Sequence, residues 1–442
     1  MMKLSPGQEK ALESFKYGKN ILLTGAGGSG KTELIKKMVE IGLESQKKVQ
    51  VCALTGCATV LLKCGGAKTV HSWAGIGLAS GPSKKVIERV LKSKYKRGNW
   101  NKVDVLIIDE ISMMSKKLFE ILDQIGRKIK KKPLVPFGGI QVVFSGDFYQ
   151  LPPVGDRDDK ETMQFCFESE EWNKTINEVI ELTTIFRQTD AEYTKILNQI
   201  RVGKLYKSSY EKLMGRVKQE YPANGIKPTI LLPRRRDVDF INSTELIKLE
   251  TEKIEYEMTS VIEAVTNEED RSKLYFITDE QREIEIQFLM GNVMADTKLS
   301  LRVGAQVMCV ANIDMEGPYP LVNGSQGIIV DMCNGLPMVQ FTDGQKRIIG
   351  WHVWKSENIP GLGVKQIPLI HAWAITIHKA QGVTLDLAQI DAGNNIFECG
   401  QTYVALSRLK SLDGLYLTAF DPSKIKVNKK VQEFYKRIQL DK

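Results

Sequence analysis

Gly25-Ala26-Gly27-Gly28-Ser29-Gly30-Lys31-Thr32 spells G-x-x-x-x-G-K-[ST], and the apolar run Asn20-Ile21-Leu22-Leu23 leads into it. A strand, a glycine-rich loop and a helix over 33–41 form the geometry that wraps backbone N–H groups around a triphosphate. Glycine lets the chain pass within hydrogen-bonding distance of phosphate, where a Cβ would collide. The helix N-terminus adds its own positive end. On this reading residues Gly25, Ala26, Gly27, Gly28, Ser29 and Gly30 line the cradle. Lys31 reaches the β- and γ-phosphates of ATP, and the Thr32 hydroxyl holds Mg²⁺.

A second apolar run, Val103-Asp104-Val105-Leu106-Ile107-Ile108, ends in Asp109-Glu110. A buried strand that delivers two carboxylates beside a phosphate loop suits a hydrolase. Asp109 is placed to hold Mg²⁺ through water, and Glu110 to orient or deprotonate an attacking water. A P-loop kinase, which positions an acceptor hydroxyl instead, is disfavoured. The bland reading of Asp109-Glu110 is an exposed pair at a strand end. A third run, 140–147, opens into Phe148-Tyr149-Gln150-Leu151-Pro152-Pro153-Val154, where Gln150 is the candidate to sense the γ-phosphate.

The chain has 442 residues, too many for one ordinary core, and 42% hydrophobic with 26% charged residues marks it as soluble and globular. No apolar stretch is long enough to span a membrane, and Met1-Met2-Lys3-Leu4-Ser5-Pro6 lacks the apolar core of a secretory signal. Seven cysteines without a C-x-x-C pair read as reduced thiols of an intracellular protein, nuclear or cytoplasmic, viral origin included. The net charge of +9 is moderate, but its distribution is uneven. Basic residues gather over 84–102, over 127–132 and at Arg234-Arg235-Arg236. Each alone reads as a solvated face; together with a nucleotide loop they favour a phosphate-backbone footprint.

G-A-G-G-S-G-K-T, I-I-D-E-I-S-M and G-D-F-Y-Q-L-P-P-V resemble motifs I, II and III of superfamily-one helicases of the Pif/RecD-like branch. The stretch LFEILDQIGRKIKKKPLVPFGGI (118–140) resembles the signature segment of the Pif (petite integration frequency) family. Leu4-Ser5-Pro6-Gly7-Gln8 is similar to an adenine-reading Q motif, which makes Gln8 a nucleotide contact. Ala53-Leu54-Thr55-Gly56-Cys57-Ala58 and Thr69-Val70-His71-Ser72-Trp73 resemble motifs Ia and Ib. These imply DNA contacts at Thr55, Gly56, Thr69, His71 and Ser72. Thr376-Ile377-His378-Lys379-Ala380-Gln381-Gly382 resembles motif V: Gly382 then lies near the γ-phosphate, and Thr376, His378 and Lys379 touch DNA. Phe186-Arg187-Gln188 and Tyr403-Val404-Ala405-Leu406-Ser407-Arg408 resemble motifs IV and VI. They supply Arg187 and Arg408 as candidate arginine fingers, guanidinium groups presented across a cleft to the γ-phosphoryl.

The second half of the chain has no further phosphate loop but reads as another α/β unit, with strands at 229–232, 388–391 and 415–418 and a helix at 237–250. Short alternating runs between 301 and 349, punctuated by Asn323-Gly324, Asn334-Gly335 and Asp343-Gly344, read as a small all-β insertion. The fold expected is α/β, with two RecA-like P-loop NTPase motor domains. The first covers 1–185 and the second 186–257 and 359–442. The β insertion covers 258–358, and the resemblance makes it a Src-homology-like barrel. The resemblance also makes 75–102, which holds Trp100, a strand-separating wedge. It implies an ATP- and Mg²⁺-dependent DNA helicase moving 5′→3′, a monomer on single-stranded DNA and its junctions with duplex. A translocase that displaces proteins without unwinding, and an ATP-switched recruitment factor, are the rival readings.

Overall fold

The computed structural model describes residues 4–62, 64, 66–77, 79–156, 158–221, 226–266, 268–275, 277–313, 321–356, 358–377, 379–393, 396 and 398–440. The first lobe is built on strands β1 (Ile21–Gly25), β2 (Val49–Ala53), β3 (Lys68–Thr69), β4 (Val105–Asp109), β5 (Gln141–Gly146) and β6 (Glu178–Leu182). They form one sheet in the order β3-β2-β4-β5-β1-β6, parallel throughout. Burial on both faces explains why β1, β4 and β5 read as unbroken apolar runs rather than alternating ones. The helix expected over 33–41 runs from Lys31 to Glu44.

The signature segment folds as a helix, Lys116–Ile129, followed by a turn that returns Phe137 against Phe119 and Phe144. Asp123, nearly inaccessible to water, accepts the Phe137 N–H at 2.7 Å and Arg127 Nε at 2.7 Å. Arg127 also bonds Glu171, and Lys130 donates to the carbonyls of Asn101 and Val103. Part of the 127–132 basic cluster therefore holds this segment together.

Residues 84–102 form two helices, Ser83–Lys92 and Lys94–Lys102, laid on Lys116–Ile129. Val86, Ile87 and Val90 face inward, while Lys84, Lys85, Lys92, Lys94, Arg97 and Lys102 are exposed. Trp100 is wholly buried, its ring 4.6 Å from that of Trp73 and its Nε1 donating to the Ala74 carbonyl.

The second lobe has a four-stranded parallel sheet in the order Ala374–Thr376, Thr229–Leu232, Ala388–Ala392, Leu415–Phe420. Between its first two strands in the chain lies the β insertion. Its largest sheet is antiparallel and five-stranded: Lys346–Ile348, Leu336–Phe341, Gln326–Cys333, Gln306–Cys309, Leu369–His371. The hairpin at Asn334-Gly335 has both residues at positive φ, 51° and 75°, the pairing a two-residue turn demands. Antiparallel strands extend from Ile254–Glu257 to Leu369–His371, wider at both ends than 258–358. Buried amides bind this insertion to the second lobe. Gln326 reaches Thr229 Oγ1 and the Leu387 carbonyl, and Gln306 reaches the carbonyls of Lys227 and Ala372.

One expectation fails at the end of the chain. Residues 359–442 do not all belong to the second lobe, because the helix Lys429–Leu440 crosses back to the first. Phe434 stacks on Phe167 at 4.3 Å and meets Phe148 edge-on at 5.3 Å. The apolar stripe of an amphipathic helix is buried wherever a matching face exists, and the matching face is the aromatic cluster of Phe148, Phe165, Phe167 and Trp172. Replacing Trp100 by Ala should lower stability by about 3–5 kcal/mol, the cost of removing a buried indole, as read by the midpoint of urea unfolding; a change within experimental error would show that the Trp73–Trp100 packing does not form.

Candidate nucleotide site and nucleic-acid face

The loop after β1 takes the conformation its glycines allow. Gly28 and Gly30 both have φ of 82°. A Cβ on Gly30 would stand 2.9 Å from Gln8 Nε2 and 3.3 Å from the Phe186 ring, and one on Gly28 would collide with Arg187. Gln8 is fixed by a capping box: its Oε1 accepts the Ser5 N–H while its own N–H bonds Ser5 Oγ. Phe186, half-exposed, stands beside Gln8 as a flat apolar surface at the same end of the loop. Lys31 folds over the loop and donates to the carbonyls of Gly25 at 2.7 Å and Ala26 at 3.0 Å. Thr32 follows in the first turn of the helix.

Asp109 ends β4 and Glu110 follows in the left-handed region, φ 58° and ψ 41°, a strained conformation for a residue with a side chain. Burial raises the pKa of Asp109, opposed in part by the Lys31 ammonium. Burial and the neighbouring Asp109 push Glu110 up to about 7, with Lys31 and Arg408 pulling the other way. Lys31 is itself lowered by burial against the pull of Asp147, Asp109 and Glu110. A carboxyl group poised near neutrality beside a phosphate loop suits proton transfer from water.

The second lobe presents its arginines to this loop. A Cβ on Gly27 would lie 3.6 Å from Arg408 Nη2 and 3.7 Å from Arg187 Nη1. Arg408 is 2% exposed, and burial with the adjacent Arg187 lowers it to about 9. It is still charged at pH 7. Its Nε donates to the Val404 carbonyl and Nη2 to Ser407 Oγ, while Arg187 Nη1 donates to the Ser407 carbonyl. Ala380, two residues before Gly382, offers its carbonyl to Arg408 Nη1 at 3.5 Å, and Gly382 itself is exposed with φ 83°. Gln150 is buried, its N–H bonded to the Asp147 carbonyl and its own carbonyl pressed against Gly400.

Four residues given no role by the sequence, Asp147, Arg201, Tyr403 and Tyr435, complete this contact. Asp147, with no solvent exposure, takes two hydrogen bonds from Arg201, at 2.8 Å from Nε and 3.0 Å from Nη2. The Arg201 guanidinium sits 4.8 Å from the Tyr149 ring centre and 5.6 Å from that of Tyr435. Tyr435 Oη lies 2.6 Å from Thr24 Oγ1, directly before the glycine loop. Tyr403 Oη accepts the Gly27 N–H at 2.9 Å. The company of G-D-F-Y-Q flagged the neighbourhood of Asp147; nothing local pointed to Arg201 or Tyr435.

The residues expected to touch DNA cluster at the carboxyl ends of parallel strands in both lobes, the edge where open α/β sheets bind ligands. Thr55, Thr69 and Thr376 each accept a backbone N–H from their own following turn. Ser72 is exposed, and His71 is partly buried, which lowers its pKa and leaves it neutral at pH 7. Gly56 opens the helix Gly56–Leu62, and the Asn292 amide lies so close that no side chain would fit there. Lys379 pairs with Asp296 at 3.5 Å, four residues beyond Asn292. His378 lies outside the described residues. Arg234, Arg235 and Arg236 are exposed at the start of the helix Arg235–Ile247.

Comparison with known proteins agrees with this geometry. A family model described as PIF1-like helicase matches residues 3–211, and one for the DNA helicase Pif1 2B domain matches 287–332. The crystal structure of Pif1 helicase from Candida albicans is similar over 99% of this chain and 100% of its own, at 32% identity and a TM-score of 0.71. The chain belongs to the Pif1-like helicase family. The ATP-dependent DNA helicase PIF1 of Danio rerio is 36% identical over 445 residues, covering 100% of this chain. The chain spans 65% of the length of that curated relative. Among Pif1 structures from Bacteroides sp, the complex with ADP-AlF4 gives a TM-score of 0.79 at 28% identity, covering 100% of this chain and 98% of its own. The form bound to single-stranded DNA gives 0.63 over the same shares. The arrangement here is closer to the first. In this Pif1-like fold Asp147→Ala removes the two-bond partner of buried Arg201 and leaves it only Glu181, 3.6 Å from Nη1, and should cost about 3 kcal/mol in chemical denaturation, the lower end for breaking a buried pair; a loss below about 1 kcal/mol, typical of exposed pairs, would mean that water reaches the seam.

Proposed function

We propose that this chain is an ATP-driven motor on single-stranded DNA that moves 5′→3′ and unwinds duplex DNA ahead of it. The observation that carries the reading is the meeting of Arg187 and Arg408, from the second lobe, with the glycine loop of the first. A triphosphate held by that loop has its terminal phosphoryl between the lobes, so hydrolysis removes the charge that draws them together. The family's helicase names and the DNA-bound Pif1 of Bacteroides support the nucleic-acid half of the reading, and 5′→3′ polarity follows the resemblance alone.

The loop amides and Lys31 bind the phosphates, with Gln8 and Phe186 placed for the base. Glu110 takes a proton from the attacking water at its carboxylate oxygen, and Arg187 and Arg408 neutralise charge on the transferring group. Thr32 and Asp109 are the residues that would hold Mg²⁺. They fit it, being oxygen donors only, and no cluster of three or more metal-binding side chains occurs among the described residues, as suits an ion that keeps water and phosphate ligands. Held by Thr32 and Asp109, the ion would supply positive charge to offset that of the phosphates. DNA is gripped through its phosphates at Thr55, Gly56, Thr69, His71, Ser72, Thr376, His378 and Lys379, a nearly sequence-blind contact. Arg234, Arg235 and Arg236 add charge beside it.

ATP turnover measured with and without oligo-dT tests the reading. Stimulation by orders of magnitude is expected, abolished in Lys31→Ala and cut at least about tenfold in Arg408→Ala, the lower end of what arginine fingers contribute. Slow turnover indifferent to DNA would favour a recruitment switch instead. A 5′-tailed duplex separates unwinding from simple translocation. The acid limb of kcat/KM should have its midpoint near pH 7, because Glu110 acts as a base only when ionised and its pKa is about 7. Below that midpoint the rate falls as pH falls; a Glu110→Gln variant that keeps the same limb would remove Glu110 from the role.

A further inference from the structure

Two hydrogen bonds cross from the second lobe to the glycine loop. The Gly27 N–H donates to Tyr403 Oη at 2.9 Å, and the Phe186 N–H donates to the Gly28 carbonyl at 2.8 Å. The first differs from the second in what it occupies. Gly27 N–H belongs to the row of amides that a loop of this type offers to phosphate. A backbone amide has one proton to donate, so a phosphate oxygen and the Tyr403 hydroxyl cannot both hold it at full strength.

Tyr403 is also rigidly tied to both arginines. It lies in the helix Gln401–Leu406, whose next residues are Ser407 and Arg408. The Ser407 carbonyl accepts Arg187 Nη1 at 3.3 Å and Gln188 Nε2 at 3.2 Å, and Tyr193 Oη donates to the Leu406 carbonyl at 2.8 Å. Arg408 is folded onto Val404 and Ser407. Any shift of this helix relative to the loop moves both guanidinium groups together.

We infer that Tyr403 is a positioning residue whose hydroxyl competes with phosphate for the Gly27 amide, so that phosphate binding replaces this direct hold on the arginine-bearing helix by the arginines' attraction to a terminal phosphoryl, and with ADP, which lacks one, the helix is released. This rests on the nucleotide-binding half of the proposed function and adds to it the trigger by which the lobes register phosphate. Burial raises the Tyr403 hydroxyl to about 12, so it is a neutral phenol throughout the physiological range and no pH switch is involved.

Tyr403→Phe removes the competitor and leaves the ring. Melting without nucleotide should show a lower Tm than wild type, while at saturating Mg²⁺ and ADP the two proteins should melt together. Binding of the fluorescent analogue mant-ADP should tighten roughly 3- to 10-fold, the equivalent of one hydrogen bond no longer displaced. An equal Tm loss in both conditions would make Tyr403 merely structural, and a larger loss with ADP would make it a phosphate ligand; either overturns the inference, as does unchanged mant-ADP affinity. Hydrogen–deuterium exchange on the wild-type protein gives a test that needs no variant. With ADP and Mg²⁺ the loop amides should exchange more slowly and the amides of 401–406 faster, whereas slowing in both overturns it. Wild-type protein that takes up no mant-ADP would instead bring down the nucleotide reading itself.

Discussion

A carboxylate without access to water must find a cation, and the fold is arranged around that need at Asp147. It directly follows β5 with no solvent exposure, and its partner Arg201 comes from the last turn of the helix Ala191–Arg201 in the other lobe. Breaking such a pair leaves the buried guanidinium with only Glu181, 3.6 Å away, so the pair fastens the two lobes at this point. Tyr149 and Tyr435 flank the guanidinium, and Tyr435 reaches on to Thr24. The seam thus runs from the strand before the glycine loop, through Asp147, into the helix that follows the Phe186-Arg187-Gln188 segment. Arg187 and Arg408 are delivered to the loop by elements anchored on either side of it.

Charge at the site comes from both lobes. Asp109, Glu110 and Asp147 come from the first; Arg187, Arg201 and Arg408 come from the second, with Lys31 between them. Burial is the largest cause of the shifts at Lys31, Asp109, Glu110, Arg187 and Arg408, so these charges interact away from bulk solvent and attract one another strongly. In such a setting moving one guanidinium alters the proton affinity of Glu110, so lobe position and the protonation of Glu110 are linked electrostatically.

What the sequence disclosed was whatever is encoded locally. The glycine loop, the strands ending in Asp109 and Gly146, the strand Thr229–Leu232 and the Asn334-Gly335 hairpin follow from runs, spacing and turn chemistry within a few residues. Pairings over long separations were not encoded that way. Arg201 is 54 residues from Asp147, and Tyr403 is 376 from Gly27; no periodicity links them. The helix Lys429–Leu440 is visibly amphipathic, but amphipathicity names a face and not the surface it will meet. The packing of Trp100 on Trp73 was likewise not legible, because the two residues lie 27 positions apart. Asn292 over Gly56 could not have been foreseen from either residue's surroundings.

The return of the C-terminal helix to the first lobe has a mechanical consequence. The second lobe is joined to the first by covalent chain at two places, once on entering after β6 and once on leaving before Lys429. A body pinned to its neighbour at two points keeps one easy freedom, rotation about the line through the pins; sliding and twisting both stretch a tether. Opening of the cleft is thereby channelled into a single swing.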